Sequence, residues 1–392
     1  MTTSTDDRTV ARSQMLDQAR ALVPTLRDRR AETDARRSLI AESVRDIEAL
    51  GVIAVAAPKE LGGADLGADV ILEVSYELAQ GCGATAWCAG NWAVHSVFAA
   101  MFSAEAQADM FAGGTLAKMA TGFSPMRAQS TKVDGGAVIS GQWDFASGID
   151  HSDWIVVNAM TEVGPLAHLV PAADVTIIDT WHTTGLRGTG SKDVAAQDLF
   201  VPEHRLLGLG GPSEGTSVGA EMYSNPWLKL PLAVTFPAGI VGTILGLATG
   251  AFEVFVARTT QNVGGLSGIK VSTRPEVQYK MGETSADLDA ARIVARQAYA
   301  DMKAKAEAGI AVTMEDRLNF RRNLGWAAKT ATQAVTRLYE VGGAHSLFQG
   351  DQLEQFNRDI VAASHHYGVA WDLVYSGYGR FLVGEEPGIP MT

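Results

Sequence analysis

The stretch "LPLAVTFPAGIVGTILGLATGAF", from Leu230 to Phe252, decides the fold of this chain. It is long enough for a transmembrane helix, which needs about 20 apolar residues. However, it contains two prolines and four glycines among alanines and threonines, and no cluster of basic residues flanks it. A helix that is apolar on all sides is also typical of the centre of a large soluble bundle. We therefore predict a buried core helix and no membrane partner.

Helical runs lie on both sides of this stretch. Toward the N-terminus, residues 10–50 are rich in Ala, Leu, Arg, Asp and Glu, with apolar residues at three- and four-residue spacing. A second run covers about 70–101. Connections short enough for antiparallel packing predict a four-helix bundle from the C-terminal runs, which lie around residues 233–260, 275–308, 315–341 and 352–383.

Between these helical parts, short β-type runs alternate with turns from about Gly122 to Pro202. The segment "VDGGAVISGQW" predicts a hairpin with its turn at Asp134-Gly135-Gly136. Roughly eighty residues suffice for a small barrel or sandwich. We predict an α+β fold with a helical domain, a middle β-domain and a four-helix bundle, at residues 1–122, 123–216 and 217–392.

The composition disfavours several classes of function. Thirty-two basic residues against 44 acidic ones give a net charge of −12, which disfavours nucleic acid as a partner. Cys82 and Cys88 lie six residues apart on a predicted helix without His or Cys neighbours, which favours buried thiols over zinc or disulfides. The first residues are charged and lack an apolar signal core, so we expect a cytoplasmic protein.

Two histidines stand side by side in "AASHHYGVAWD", Ala362 to Asp372. A metal site would need ligands three or four residues apart with carboxylate or cysteine support, and neither is visible, so we predict no metal. Histidine, with an unperturbed pKa of about 6.5, is suited to proton transfer near neutral pH. From the residues alone, a catalytic group and a polar helix end both remain open.

His95 lies in a segment without any charged residue between Glu77 and Glu105. An unpaired polar group in such a setting costs on the order of 1–3 kcal/mol. The ring is therefore either hydrogen-bonded in the core or directed into a cavity. Asn91 and Trp92, one helical turn earlier, are expected to shape the substrate side.

Several stretches, in their order along the chain, resemble one known family. They are "PKELGGADLG", "GATAWCAGNWAVHS", "GQWDFASGIDHSDWIVV", "GLRGTGSKDV", "YEVGGAHSLFQGDQLEQFNRDI" and "SHHYG". Together they resemble the acyl-CoA dehydrogenase fold. Within that fold they are similar to the two-component flavin-dependent monooxygenases, such as the 4-hydroxyphenylacetate and 3-hydroxy-secosteroid hydroxylases. The resemblance runs from about residue 15 to the final "GEEPGIPMT". It implies an N-terminal helical domain, a middle β-barrel domain, a C-terminal four-helix bundle and a homotetramer.

The resemblance also offers a test between dehydrogenase and oxygenase chemistry. Many acyl-CoA dehydrogenases carry a catalytic glutamate shortly after an "RDA" turn, and counting from "NRDI" places Tyr367 at that position. No Asp or Glu lies between Asp359 and Asp372. Tyrosine titrates at about pH 10, which is too high for an easy base at neutral pH. We therefore argue against desaturation of an acyl-CoA.

In the aromatic hydroxylases a histidine at the place of His366 lies beside the substrate. The resemblance thus implies that His366 deprotonates or hydrogen-bonds a phenolic hydroxyl. We expect His365 to point elsewhere, because neighbours on a helix diverge by about 100°. The resemblance likewise implies that His95 stands over the flavin near its C4a–N5 edge. Substrate contacts are expected from Asn91, Trp92 and Tyr367.

Hydroxyl residues and glycines form most of the flavin site that the resemblance implies. Thr121 and Ser147 match hydroxyl residues near the isoalloxazine ring, although ordinary turn chemistry explains such residues equally well. Arg258 is a candidate phosphate partner, since guanidinium binds phosphate bidentately. A glycine-rich segment resembles one that contacts flavin across a subunit interface. The full set of flavin-binding candidates is Trp87, Thr121, Ser124, Ser147, Arg258, Gly342, Gly343 and Ser346.

The predicted function is the oxygenase component of a two-component monooxygenase. It would use reduced FMN or FAD and O2, through a C4a-hydroperoxyflavin, to hydroxylate a small aromatic substrate that is a phenol. The chain contains no pyridine-nucleotide motif, so a separate NAD(P)H:flavin reductase is expected as the partner. Oxygenation at nitrogen or sulfur is the near alternative. A dehydrogenase of thioesters and a catalytically silent flavin-binding scaffold are the more distant ones.

Overall fold

A computed structural model of the chain describes residues 5–112, 116–162, 164–261, 263 and 268–389. The end of the resembling segment, residues 390–392, lies outside them. The helices are α1 (Thr5–Arg36), α2 (Ala41–Leu50), α3 (Ala68–Ala79), α4 (Gly83–Ala99), α5 (Ala104–Phe111), α6 (Gly210–Ser213), α7 (Val218–Met222), α8 (Leu232–Thr235), α9 (Pro237–Gln261), α10 (Pro275–Glu307), α11 (Met314–Val341), α12 (Gln352–Ser364) and α13 (Trp371–Leu382). The strands are β1 (Met119–Gly122), β2 (Ala128–Val133), β3 (Gly136–Ala146), β4 (Trp154–Thr161), β5 (Gly164–Pro171), β6 (Thr176–Ile178), β7 (Lys192–Pro202) and β8 (Leu206–Gly208).

The helix α9 occupies the centre of the helical part. It packs against α3 and α4 on one side and against α10, α11 and α12 on the other. By length and composition the segment Leu232–Gln261 could cross a membrane, but 67% of its most apolar window is buried within the protein. Here it serves as a core helix, as the opening stretch predicts.

Glycines bring α9 unusually close to its neighbours. A methyl group at Gly242 would overlap the carbonyl oxygen of Leu72, and one at Gly246 would overlap that of Tyr76. Both carbonyls belong to α3. Near the start of α9, Gly239 meets Gly90 of α4 in the same way. The glycines thus allow contact between helix backbones, which larger residues would hold apart.

The helix ends of the bundle carry recognisable caps. Thr313 and Asp316 form a capping box at the start of α11, each side chain accepting from the other residue's backbone N–H. Asp351 caps α12 by accepting from the N–H groups of Leu353 and Glu354. Such caps stabilise a helix start by about 1 kcal/mol each.

The eight strands form one sheet in the order β6-β7-β3-β2-β4-β5-β8, with β1 parallel to β4. The predicted hairpin is confirmed, since β2 and β3 pair antiparallel and Gly135 adopts a left-handed φ of 72° at the turn. The sheet encloses a second core around Trp143, Ile139, Val157 and Val194. The α, then β, then α order and the α+β fold class are as predicted.

Three predicted helical runs are each interrupted, and the first of them, 10–50, divides into α1 and α2 around residues 37–40. The run 70–101 divides into α3 and α4 at Gly81, whose backbone packs against α1 at Val23. The run 352–383 divides into α12 and α13 around a 3-10 turn at Tyr367–Val369. The domain boundaries near residues 122 and 216 stay predictions.

The glycine contacts give the first testable prediction. Gly246→Ala should lower the free energy of unfolding by about 1–3 kcal/mol, because its methyl group has no space against Tyr76 and Ala79. Gly282→Ala is the matched control, as Gly282 lies exposed within α10 with no heavy atom near the added methyl group. It should stabilise the helix by about 0.5–1 kcal/mol. Urea unfolding measures both, and equal effects of the two variants would contradict the assignment.

Candidate active site

One face of α4 provides the floor of the candidate site. Trp87, Asn91 and His95 follow one another at four-residue spacing, so they lie along the same side of the helix. Asn91 is half-buried and His95 is buried. Trp92 lies on another face, fully buried, and its Nε1 donates to Ser152 Oγ at 3.2 Å. The structure therefore places Trp92 behind the wall and does not bring it to the surface of the cleft.

His95 is held in one tautomer by its neighbours. Its Nδ1 lies 2.6 Å from the carbonyl oxygen of Met119, which can only accept, so Nδ1 carries the proton. Nε2 lies 3.3 Å from Thr121 Oγ1 and accepts from that hydroxyl. Burial lowers the pKa of His95 to about 4. The ring is thus a neutral group at neutral pH, and it links α4 to β1.

Two phenylalanines that the sequence did not single out lie beside this histidine. The ring centroid of Phe236 is 5.6 Å from that of His95 and 5.6 Å from that of Phe123. Both phenylalanines are half-buried. Phe236 lies one turn before Ile240, which reaches toward the backbone at Gly368. Phe236 and Ile240 thus lie along the side of α8 and α9 that faces both His95 and the backbone at Gly368.

His366 stands where the chain leaves α12. Its backbone is extended, with φ −68° and ψ 135°, and its Nδ1 accepts from the N–H of Gly368 at 3.0 Å. Its ring meets that of Trp87 edge to face, at 5.5 Å between centroids. Burial among protein atoms lowers the pKa of His366 to about 4, yet the ring is accessible to solvent. His366 is thus an exposed residue whose ring packs against Trp87.

The helix end also corrects the argument about His365. That argument placed both histidines on one continuous helix, whereas α12 ends at Ser364, His365 is its C-cap, and His366 already has an extended backbone. His365 is exposed, and its Nδ1 donates to the carbonyl oxygen of Val361 at 2.7 Å. The two side chains diverge because the backbone changes direction between them.

A chain of hydroxyl groups continues from Trp87 into the β-sheet. Trp87 Nε1 donates to Ser147 Oγ at 3.1 Å, and Ser147 Oγ lies 2.7 Å from Ser191 Oγ. Ser191 Oγ lies 2.7 Å from Thr189 Oγ1, which donates to the carbonyl oxygen of Leu186 at 2.9 Å. Only Ser147 of the three hydroxyl residues is partly exposed. The segment "GLRGTGSKD" thus contributes to the site through two side chains that sequence reasoning missed.

The remaining predicted residues near the cleft occupy its edge. Tyr367 is 40% exposed, with the guanidinium of buried Arg321 5.3 Å from its ring centroid. Ser124 lies exposed on the loop after β1.

Four other candidates gather elsewhere. Arg258 donates to Ser346 Oγ at 3.2 Å and to Asp351 Oδ2 at 2.9 Å, and Gly342 packs against Ser346, next to exposed Gly343. Eighteen residues of α9 separate Ile240 from Arg258, which is about 27 Å at 1.5 Å per residue. Within one chain this cluster is therefore separate from the cleft. Asp351 also forms an ion pair with the Arg258 guanidinium, the group that was predicted to bind phosphate.

The sequence also predicts buried thiols at Cys82 and Cys88 and no metal site. Cys82 and Cys88 are buried free thiols, as predicted, and burial raises the pKa of both. Among the residues that the structure describes, no group of three His, Cys, Asp or Glu side chains could hold a metal ion.

The helical parts and the sheet between them form an acyl-CoA dehydrogenase-like fold. Residues 238–371 match the family model for the acyl-CoA dehydrogenase C-terminal domain. The chain is 32% identical to the flavin-dependent monooxygenase oxygenase subunit HsaA of Rhodococcus jostii strain RHA1, over 95% of this chain and 98% of that protein. It is 30% identical to the oxygenase component of the FADH(2)-dependent resorcinol hydroxylase of Rhizobium sp. strain MTP-10005, over 91% and 90% of the two chains.

The crystal structure of 3-HSA hydroxylase from Rhodococcus sp. RHA1 superposes with a TM-score of 0.90. The two are 31% identical, and the match covers 97% of this chain and 98% of the other. The chain therefore belongs to the family of oxygenase subunits of flavin-dependent monooxygenases. The fold class and the enzyme class that the sequence predicted are confirmed.

The buried imidazole gives a prediction about pH. Because the pKa of His95 is about 4 in the folded protein and about 6.5 when unfolded, the unfolded chain binds a proton first as the pH falls. Its contribution to stability is complete above pH 6.5 and is lost toward pH 4, by about 3 kcal/mol. The difference in unfolding free energy between wild type and His95→Gln should change by this amount. A difference that stays constant with pH would contradict the neutral buried ring.

Proposed function

We propose that the chain uses reduced flavin and O2 to hydroxylate a phenolic substrate, with Ser147 on the flavin side and His366 on the substrate side. The observation that carries this proposal is the double contact of Trp87. Its Nε1 donates to Ser147 Oγ, while its ring packs edge to face on His366. One side chain thereby fixes the two candidate groups in a single cleft.

The residues of the cleft fit the ring of a flavin. Trp87 and Phe236 supply flat apolar surfaces, and Thr121 and half-exposed Ser147 supply hydroxyls, which suits a ring that is aromatic but edged with polar atoms. Bound reduced flavin would supply the electrons that activate O2. Walls of apolar and neutral groups exclude water, which would otherwise divert the activated oxygen to hydrogen peroxide. Neither FMN nor FAD is favoured by these contacts.

His366 is proposed to donate a hydrogen bond to the substrate oxygen. The Gly368 N–H occupies Nδ1, so the neutral ring carries its proton on Nε2. Of the two roles that the sequence left open, this arrangement favours the donor over the base. A donor at this place would hold a phenol or phenolate oxygen and so orient the ring for attack. The resorcinol hydroxylase relative supports this substrate class, since resorcinol is a phenol.

His95 is proposed to close the other end of the flavin cleft. Its ring is neutral, and both nitrogens are engaged by β1, so it presents a fixed face without a charge. Asn91, one turn away on the same face of α4, is the proposed polar contact to the substrate. Tyr367, at the rim next to His366, is proposed to border the entrance.

Other molecules complete the proposed system. The names of two relatives, an oxygenase subunit and an oxygenase component, imply a separate component that delivers electrons, which we propose is an NAD(P)H:flavin reductase. The cluster of Arg258, Gly342, Gly343 and Ser346 lies too far along α9 to reach the cleft of its own chain. We propose that it meets the flavin of a second copy in a homotetramer. The cytoplasm is the proposed location.

Reaction of the purified protein with chemically reduced FMN or FAD and O2 tests the proposed function. We expect oxygenated product from at least one member of a panel of phenols, and a transient absorbance distinct from both reduced and oxidised flavin. Products from amines or sulfides alone would move the assignment to nitrogen or sulfur. Flavin reduction by an acyl-CoA, without any oxygenated product, would contradict the proposal.

The role of His366 has its own test. In His366→Ala the yield of hydroxylated phenol should fall about 10- to 100-fold, because a hydrogen bond to a charged group contributes about 1.5–3 kcal/mol. Hydrogen peroxide should still form, since flavin binding is left intact. His365→Ala is the matched control and should retain the wild-type yield, as its exposed ring bonds to a carbonyl of the helix that it follows. A wild-type ratio of hydroxylated phenol to hydrogen peroxide in His366→Ala would refute the role.

A further inference from the structure

The hydroxyl chain behind Trp87 is buried except at its outer end. Thr189 is 1% exposed and Ser191 is 3% exposed, whereas Ser147 is partly open to the cleft. The three hydroxyl oxygens are linked by two contacts of 2.7 Å. Side chains from the end of β3, from the 3-10 turn before β7 and from the residue preceding β7 thus form one continuous path.

The two ends of this path give it a direction. The indole N–H of Trp87 can only donate, and the carbonyl oxygen of Leu186 can only accept. Each hydroxyl has a single hydrogen. All four hydrogen bonds exist together in one order alone, in which Trp87 donates to Ser147, Ser147 to Ser191, Ser191 to Thr189 and Thr189 to Leu186. The opposite order loses the last bond and turns the hydrogen of Ser147 into the cleft.

The inner end is firmly held. Leu186 has a left-handed φ of 50°, which is costly for a residue with a side chain. Its N–H donates to Oδ1 of buried Asp359 at 2.7 Å, and its carbonyl also accepts from Trp181 Nε1 at 3.0 Å. Asp359 belongs to α12, the helix that ends beside His366. The carbonyl that orients the hydroxyls is therefore fixed by the core.

We infer that Ser191 and Thr189 are positioning residues that make the flavin site prefer reduced over oxidised flavin. The inference rests on the proposed function, in which Ser147 lies on the flavin side; the family resemblance implies that its hydroxyl lies near flavin N5. With its hydrogen given to Ser191, Ser147 presents a lone pair to the cleft. Reduced flavin carries a hydrogen on N5 and donates it to that lone pair. Oxidised flavin, which has a lone pair on N5, would find no donor there, so these residues would hold it less tightly than the reduced form.

Binding constants for the two forms of flavin test this inference. The dissociation constants of oxidised FMN or FAD and, under anaerobic conditions, of the reduced form are measured for wild type, Ser191→Ala and Thr189→Val. Each variant frees the hydrogen of Ser147 to point outward. The ratio of the oxidised to the reduced dissociation constant should fall about tenfold, the equivalent of one hydrogen bond. The midpoint potential of bound flavin should drop by about 30 mV accordingly.

A matched control lies on the same two elements. Trp92 donates to Ser152 just as Trp87 donates to Ser147, but Trp92 is fully buried, and Ser152 donates to the carbonyl oxygen of Gly148 and does not join the path. Ser152→Ala should therefore keep the wild-type ratio. Thr189→Ser, which retains the hydroxyl, should also keep it. Circular dichroism and thermal unfolding verify that every variant is folded.

The outcomes separate this inference from the function on which it rests. If folded Ser191→Ala and Thr189→Val keep the wild-type ratio while wild type still hydroxylates a phenol, the hydroxyl path has no such role and the proposed function stands. If Ser152→Ala lowers the ratio as much as Ser191→Ala does, the effect is general and the inference is overturned. If wild type binds neither form of flavin, both proposals fail.

Discussion

The contact between the backbones of α9 and its neighbours α3 and α4 is the constraint on which the rest of the structure depends. Gly239 and Gly90 lie directly against each other, so α4 cannot rotate or slide without steric overlap. This fixes the face of α4 that carries Trp87 and His95 relative to Phe236, which precedes α9. The cleft is thus defined by helix packing, and the β-sheet closes it by supplying hydroxyls to groups whose positions are already set.

Each polar group of the cleft is held by a partner behind it. His95 is fixed by a backbone carbonyl, His366 by a backbone N–H, and Ser147 by the indole of Trp87 and the hydroxyl of Ser191. In an apolar setting, polar groups that are already oriented need no rearrangement when a ligand binds. Both imidazoles are neutral because desolvation penalises their charged forms. A site built in this way can bind an uncharged ring system and keep water out.

The helices, the hairpin and the core position of α9 could be predicted from the sequence, because these features follow from local patterns of apolar residues and glycine. The motifs that resemble the family, in their order along the chain, also identified His95 and His366 as candidate site residues. The sequence could not show the path from Ser147 to Thr189, since hydrogen bonds between distant segments leave no local pattern. Trp92 is instructive, because the four-residue spacing of Trp87, Asn91 and His95 already implies that a residue next to Asn91 faces another way.

The helix α12 joins the two sides of the proposed chemistry. Many dehydrogenases of this fold carry a carboxylate at the place of Tyr367, whereas here the nearest carboxylate on α12, that of Asp359, is buried. Burial raises the pKa of Asp359 to about 6, so it is still ionised at neutral pH and can accept from the N–H of Leu186. The Asp359 carboxylate thus helps to fix Leu186, whose carbonyl oxygen orients the three hydroxyls. The end of the same helix is followed by His366, whose ring is neutral. The one carboxylate of this region of α12 therefore supports the backbone behind the hydroxyl path, and the position beside Trp87 carries an imidazole.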